Sequence, residues 1–172
     1  MNEITCYEDD GGTKSWFLNG ELHRDGGPAV EYIDGSKRWY QRNLLHRDGG
    51  PAIETINGSK RWYQNDILHR DDGPALTGPP DASGACHKEW YTNGECHRAD
   101  GPAVEYIDGS KRWFLYGKRH REDGPASENS NGLGPQEWYL NNKLTSPLEV
   151  FKKATSVQRK HILCFYASEI CK

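Results

Sequence analysis

A single segment recurs through this chain and limits what it can fold into. It reads W-F-L-Y-G-K-R-H-R-E-D-G-P-A at residues 113–126 and returns at 16–29, 39–52, 62–75 and 90–103. A last copy fades at 138–148, where Thr145 stands at the histidine position. The tryptophans fall at 16, 39, 62, 90, 113 and 138, so the steps are 23, 23, 28, 23 and 25 residues. A fixed period of this length means one supersecondary unit used repeatedly, each copy burying its apolar side against the next.

The unit is β-structured. Asp34-Gly35, Asn57-Gly58 and Asp108-Gly109 each separate two short β-prone runs, and such dipeptides suit two-residue type I′ hairpins, whose central residues need φ > 0. Asn19-Gly20 and Asn93-Gly94 give a second hairpin signal after the tryptophan, which Asn43-Leu44 and Asp66-Ile67 weaken. The G-P-A segment is a third break, because proline cannot donate to a ladder. A two-residue loop at Asp34-Gly35 sets Val30 opposite Trp39, Glu31 opposite Arg38 and Tyr32 opposite Lys37, and the same count pairs Ile53 with Trp62, Glu54 with Arg61, Val104 with Trp113 and Glu105 with Arg112. The expectation is a core of aliphatic–Trp pairs with Glu–Arg pairs on the other face. Low hydrophobic content (34%) with 11% aromatics and 19 glycines fits a thin sheet rather than a deep core.

Residues 1–15 read as half a repeat. The stretches 76–89 and 127–137 exceed the period by five and two residues and are expected to protrude as loops, places where function is often carried. The end changes character: Ser146-Pro147-Leu148-Glu149 is a capping serine, a first-turn proline and a glutamate three residues on, and Thr155-Ser156-Val157-Gln158 repeats the capping signal. One or two helices are expected over 147–170, closing the end of the sheet. The division is therefore a hairpin-repeat region over 1–145 and a helical cap over 146–172, a cap whose apolar face could alternatively dock a partner or a second copy.

Tyr32-Ile33-Asp34-Gly35-Ser36 and Tyr106-Ile107-Asp108-Gly109-Ser110, with Asn19-Gly20-Glu21-Leu22-His23 and Asn93-Gly94-Glu95-Cys96-His97, resemble the Y-x-D-G-S and N-G-x-x-H elements of the MORN repeat. The resemblance covers roughly residues 5–145. The chain departs from the family in carrying H-R-x-D-G-P-A where the family has H-G-x-G, and so resembles the divergent form found in tailed phages, giant viruses and some bacteria. The resemblance implies a mainly β fold, an elongated, twisted antiparallel sheet of about six stacked hairpins, serving as a scaffold or protein-binding surface. It also implies a viral protein that blocks a host factor such as a defence effector, in the host cytoplasm. The family's association with membranes is not matched by any basic amphipathic segment here.

Other chemistry fits poorly. His-Arg-Asp at 23–25, 46–48 and 69–71 superficially matches a kinase catalytic loop, but no glycine-rich loop, lysine strand or D-F-G accompanies it. Recurrence once per repeat makes it structural, with His and Arg bonding to backbone or to the Asp of the turn. Histidines one repeat apart stand about 10 Å from each other, too far to share an ion that needs ligands at ~2.0–2.1 Å. Cys86, His87, Cys96 and His97 have zinc-ligand chemistry at a spacing that matches no zinc knuckle and are weak candidates. Five scattered cysteines point to reduced thiols rather than a disulfide scaffold. No apolar run approaches a membrane span, and Met1–Cys6 does not open like a signal peptide. No catalytic set stands apart from the repeat, so no enzyme activity and no cofactor are expected.

The candidate contact surface is the periodic set Arg38, Tyr40, Arg61, Tyr63, Arg112 and Phe114, taken as projecting to one side. An Arg/aromatic ladder has the composition of protein-interface hot spots, so a non-enzymatic protein-binding module is expected, with a host protein as partner. Two alternatives are a nucleic-acid module, since stacking platforms with cations hold single strands, and a scaffold that self-associates through its sheet edge or C-terminal helix. The net charge of −3 and the expected Glu–Arg pairing count against nucleic acid.

Overall fold

A computed structural model of the chain describes residues 3–130 and 135–170. The fold is mainly β, antiparallel strands in hairpin order with two helices at the C-terminus, and among the described residues no barrel closes. Two compact units divide it, 1–94 and 95–172. The division falls inside the repeat array.

In residues 1–94 the main sheet runs Ile4–Glu8, Lys14–Leu18, Val30–Glu31, Lys37–Arg38, Ile53–Glu54, Lys60–Arg61, Leu76–Thr77, Lys88–Glu89, each strand antiparallel to the next. Beside it lie small two-stranded hairpins, Tyr40–Gln41 with Leu44–Leu45 and Tyr63–Gln64 with Ile67–Leu68. Residues 95–172 continue the same grammar with Val104–Glu105, Lys111–Arg112 and Ser127–Glu128, and the hairpins Phe114–Leu115/Lys118–Arg119 and Trp138–Leu140/Lys143–Thr145.

The turn chemistry shifts the register by one residue from the expected one. At Asp34-Gly35 the Gly35 N–H donates to Tyr32 O at 2.9 Å and the Tyr32 N–H to Ser36 O at 2.9 Å, so three residues form the loop. Only Gly35 has positive φ there, at 87°, which is a type I turn with a glycine bulge, not a type I′ turn. Asp34 accounts for the choice: its Oδ1 accepts the Ser36 N–H at 2.8 Å and holds the three-residue loop closed. The same pair of backbone bonds recurs at Thr55–Ser59 and Tyr106–Ser110. Val30 therefore faces Arg38 rather than Trp39, and Glu31 faces Lys37 rather than Arg38. Ile53 likewise faces Arg61 and Glu54 faces Lys60, while Val104 faces Arg112 and Glu105 faces Lys111. One face alternates aliphatic with Arg, and the other alternates carboxylate with Lys.

The type I′ turns belong instead to the small hairpins. Arg42 and Asn43 have φ of 51° and 66°, and Asn65 and Asp66 have 51° and 64°. These pairs align with Asn19-Gly20 at the 23-residue step, so the second signal was one residue upstream of where Asn43-Leu44 and Asp66-Ile67 place it.

The core is thinner than an aliphatic–Trp pairing implies. Ala29, Ala52, Ala75, Ala103 and Ala126 are fully buried, with Val30, Ile53 and Val104 close to it, and the N–H of Trp16, Trp39, Trp62 and Trp113 donates to the Ala carbonyl 13 residues on (Trp39 to Ala52 at 2.8 Å). Trp16, Trp39, Trp62 and Trp113 are only half-buried. Trp138 is the exception at 2% exposure. It packs with Val150, Ala154 and Ile162 of the two helices, α1 (Pro147–Lys153) and α2 (Ser156–Ile170). Both expected caps form: Glu149 N–H donates to Ser146 Oγ at 3.2 Å, and Thr155 and Gln158 exchange reciprocal bonds at 2.7 and 3.3 Å. The helices thus cover the last hairpin of their own unit. The stretch 76–89 is an ordered extension, its Gly78 N–H bonded to His87 O at 2.8 Å and its tip closed from Asp81 to Ala85 at 2.8 Å. The other protruding stretch has residues 131–134 outside the described residues.

Candidate functional site

Four of the H-R-x-x-G-P-A segments lay the arginine over the tryptophan of their own repeat. The guanidinium carbon stands 3.9 Å from the ring centroid for Arg24 over Trp16, 3.8 Å for Arg47 over Trp39, 4.2 Å for Arg70 over Trp62 and 3.9 Å for Arg121 over Trp113. This is cation–π geometry. Nη1 of the same arginine donates to the proline carbonyl four residues on, at 3.1 Å for Arg47 and 3.3 Å for Arg70. It also takes the strand glutamate, Arg24 to Glu31 at 2.9 Å and Arg47 to Glu54 at 2.8 Å. The glutamates expected to pair with Arg38 and Arg61 thus serve the turn arginines instead.

Glycine before proline makes this possible. A Cβ built at Gly50 would stand 2.8 Å from Arg47 Nε, and one at Gly124 would stand 2.7 Å from Arg121 Cζ. Where the turn has an acid two residues after the arginine, Nε takes it: Arg70 Nε donates to Asp72 at 2.7 Å, and Arg98 and Arg121 do the same with Asp100 and Asp123 while Nη1 holds Glu105 and Glu128. The Arg70–Asp72 bond, like Arg98 to Asp100 at 2.9 Å, holds the carboxyl below its ordinary value, mainly through the hydrogen bond and then through the arginine's charge.

The histidines staple one turn to the next. His23 Nδ1 accepts the Arg42 N–H at 3.3 Å, His46 Nδ1 that of Asn65 at 3.3 Å, His69 Nδ1 that of Asn93 at 3.1 Å and His120 Nδ1 that of Asn141 at 3.3 Å. Nε2 then donates to the acid two residues on, Asp25, Asp48 and Asp71 at 3.1, 3.2 and 3.3 Å. This is the backbone-and-Asp role expected from recurrence. Side chains add a second link: Asn43 Oδ1 accepts the Leu22 N–H and Asp66 Oδ1 the Leu45 N–H, both at 2.7 Å.

Between successive turns a cleft remains. One of about 270 Å³ lies between Arg24–Gly27 and His46–Asp48, with Trp39, Tyr40 and Gln41 along it. A second of about 260 Å³ repeats it one step on, with Arg47, Trp62, Tyr63, Gln64 and Arg70. In the C-terminal unit a third, about 520 Å³, has Arg98, Trp113, Phe114, Leu115 and Arg121, and Gln158 of α2.

The six expected contact residues therefore separate. Tyr40, Tyr63 and Phe114 each line a cleft, whereas Arg38, Arg61 and Arg112 line none of the three. Arg38 lies over the Tyr32 ring at 5.1 Å and Arg112 over the Tyr106 ring at 5.6 Å, while Arg61 is exposed on the sheet opposite Ile53 and Leu76. The reason is that the strand is interrupted at Trp39, Trp62 and Trp113, so period-two alternation does not carry from residue 38 to 40. The cationic walls are instead the turn arginines, which recurrence marked but which sequence reading assigned to the turn alone.

Of the weak zinc candidates, His87 Nε2 meets Glu89 at 2.5 Å, Cys96 Sγ reaches the Ala103 carbonyl at 3.9 Å, and His97 stacks on Tyr116 at 4.2 Å; Cys86 is half-buried. Among the described residues no group of three His, Cys, Asp or Glu side chains is arranged to hold a metal ion, and no helix is long and apolar enough to cross a membrane. Neither a protein-family model nor a curated protein matches the chain.

Proposed function

We propose that the chain is a non-enzymatic protein-binding module and that its clefts are the contact surface. The carrying observation is recurrence: the same opening, with an aromatic side chain along it and stacked arginines as walls, forms three times. Aromatic residues and arginine dominate interface energetics, and stapling each turn to the next lowers the ordering cost of binding. The resemblance to the viral form of the MORN repeat adds a host target, a defence protein held inactive by this surface, and that part of the proposal rests on the resemblance alone.

Affinity capture from bacterial lysate, with and without nuclease, tests the reading. A protein retained near-stoichiometrically in both samples, and lost when Tyr40, Tyr63 and Phe114 are all changed to alanine, supports it. Retention by a folded triple variant refutes the cleft assignment.

The corrected register favours one second reading. Arg38 and Arg61 face aliphatic residues rather than glutamates and are exposed, so they present a basic pair for a phosphate backbone. Oligonucleotide binding that weakens steeply with salt and is lost in an Arg38→Ala/Arg61→Ala variant would establish it.

A further inference from the structure

We propose that the outer edge of the strand Ile4–Glu8 is a separate binding site, which takes an extended basic peptide as an added β-strand. The strand begins the sheet order of its unit and, among the described residues, is paired on one side only, to Lys14–Leu18. Like its partner it has five residues, where the strands of that sheet from Val30–Glu31 onward have two, and all five are exposed.

Backbone accounting shows what the edge offers. Asp9 N–H donates to Thr13 O at 3.1 Å and Asn19 N–H to Glu3 O at 3.2 Å. In an antiparallel ladder the inward bonds fall on alternate residues, so Glu3, Thr5, Tyr7 and Asp9 point into the sheet. Ile4, Cys6 and Glu8 therefore direct their N–H and C=O groups away from it. Apart from its carboxylates the edge lacks the usual protections: Ile4–Glu8 has no lysine or proline, and its five pairs run without a bulge. Ile4 and Tyr7 are 53% and 62% exposed, available to anchor side chains of an incoming strand.

Charge selects the occupant. Glu3, Glu8, Asp9 and Asp10 flank this strand, and Lys14 answers only Glu8, at 3.8 Å. A second copy paired antiparallel about Cys6 would set Glu3 against Asp9 twice, an unfavourable like-charge arrangement. A lysine-bearing strand meets the same acids favourably. The site shares no residue with the clefts and does not depend on them.

The test is fluorescence polarisation of the full chain with a labelled peptide alternating lysine and valine, beside a twin alternating glutamate and valine. The basic peptide binds, less tightly as salt rises, and the acidic twin does not. N-methylating two alternate amides of the peptide removes two of its donors to the Ile4, Cys6 and Glu8 carbonyls in one register and weakens binding about thirtyfold, while methylation in the other register is tolerated. Amide exchange slows at Ile4, Cys6 and Glu8 and stays unchanged at Thr5 and Tyr7. Cys6→Pro abolishes binding without touching the internal ladder, and the N-methyl series decides the matter if that variant misfolds. The Tyr40/Tyr63/Phe114 variant still binds the peptide. Equal binding of the acidic twin, indifference to N-methylation, or a dimer that protects the same three amides would each overturn the proposal.

Discussion

Gly50→Ala tests whether the glycine before proline exists to let arginine lie on tryptophan. The new Cβ would stand 2.8 Å from Arg47 Nε and 2.9 Å from Cζ, so the guanidinium has to leave the Trp39 face. It gives up a stacking contact at 3.8 Å, worth about 0.5–1 kcal/mol at a half-exposed site. It also gives up the bond to the Pro51 carbonyl at 3.1 Å, about 1 kcal/mol. The ion pair with Glu54 joins side chains 32% and 36% exposed, so screening holds it to about 0.5–1 kcal/mol. The expected cost is about 2–3 kcal/mol. Because the loss passes through one side chain, Arg47→Ala should cost about the same, and the double variant should be little worse than either single, a coupling of about 2 kcal/mol. Gly49→Ala is the control: Gly49 has φ of +69° with nothing within 4 Å of its Cβ position, so its cost of about 1–2 kcal/mol is backbone strain and should add to that of Arg47→Ala. Urea unfolding followed by circular dichroism reads the cycle, provided the m-value is unchanged between variants. If Gly50→Ala and Arg47→Ala add in full, the glycine has another purpose and the reasoning is wrong.

Three further outcomes follow from the same geometry. Trp138→Ala should cost about 3–5 kcal/mol, as expected of a fully buried ring, and Trp62→Ala, half-buried under Arg70, only about 1–2 kcal/mol; equal shifts in urea midpoint would contradict the burial pattern. His46→Ala removes the acceptor of the Asn65 N–H, so that amide should exchange about fivefold faster while the Trp39 amide, bonded to Ala52, is unchanged. Asp72 and Asp100 have carboxyls lowered by their arginines, so the stability they contribute is present above the ordinary value of 3.8 and is lost as pH falls through the lower folded-state value. Asp72→Asn/Asp100→Asn should therefore flatten the acid limb of the stability profile below about pH 4 and leave its shape at pH 7 unaltered.

The repeat, the hairpin order, the C-terminal helices and both capping boxes were legible because each rests on local chemistry: a period, a turn dipeptide, a serine three residues before a glutamate. The register was not, and the cause is specific. Asp34-Gly35 satisfies a two-residue loop and a three-residue loop equally on composition. What separates them is the Asp34 carboxylate capping Ser36, a bond that depends on a conformation the sequence does not state. One residue of slip exchanges every facing pair. It moved Glu31 and Glu54 away from Arg38 and Arg61 and left them to Arg24 and Arg47, which lie seven residues upstream. The separation of Arg38 from Tyr40 has a different cause: counting from one to the other assumes an unbroken strand through Trp39, and the chain is not a strand there.

Positions the period holds constant build the sheet, so discrimination between partners falls to positions where repeats differ around a cleft. The two clefts of residues 1–94 are near-copies: Tyr40-Gln41 and Tyr63-Gln64 run along them, and their volumes are about 270 and 260 Å³. The cleft of the C-terminal unit keeps the Arg–Trp wall and changes the rest. Leu115 replaces glutamine, acids stand at both turn positions (Asp100 and Asp123) where the first cleft has Gly26 and the second has Gly49 and Asp72, and Gln158 enters from α2, at about 520 Å³. An acid at that position draws the arginine's Nε, as Arg121 to Asp123 at 2.7 Å shows, and leaves one fewer guanidinium donor for a ligand. A partner chain laid along the first two clefts thus meets the same tyrosine and glutamine twice, and the first of them, with Gly26 at that position where the second has Asp72, offers more arginine donors to carboxylate or carbonyl groups. The third cleft is roomier, more apolar along its length and more acidic at its rim, which suits a bulky or cationic side chain. Changing Phe114 alone should therefore alter which partner is held, whereas changing Tyr40 alone, with Tyr63 repeating its contact, should only weaken the hold.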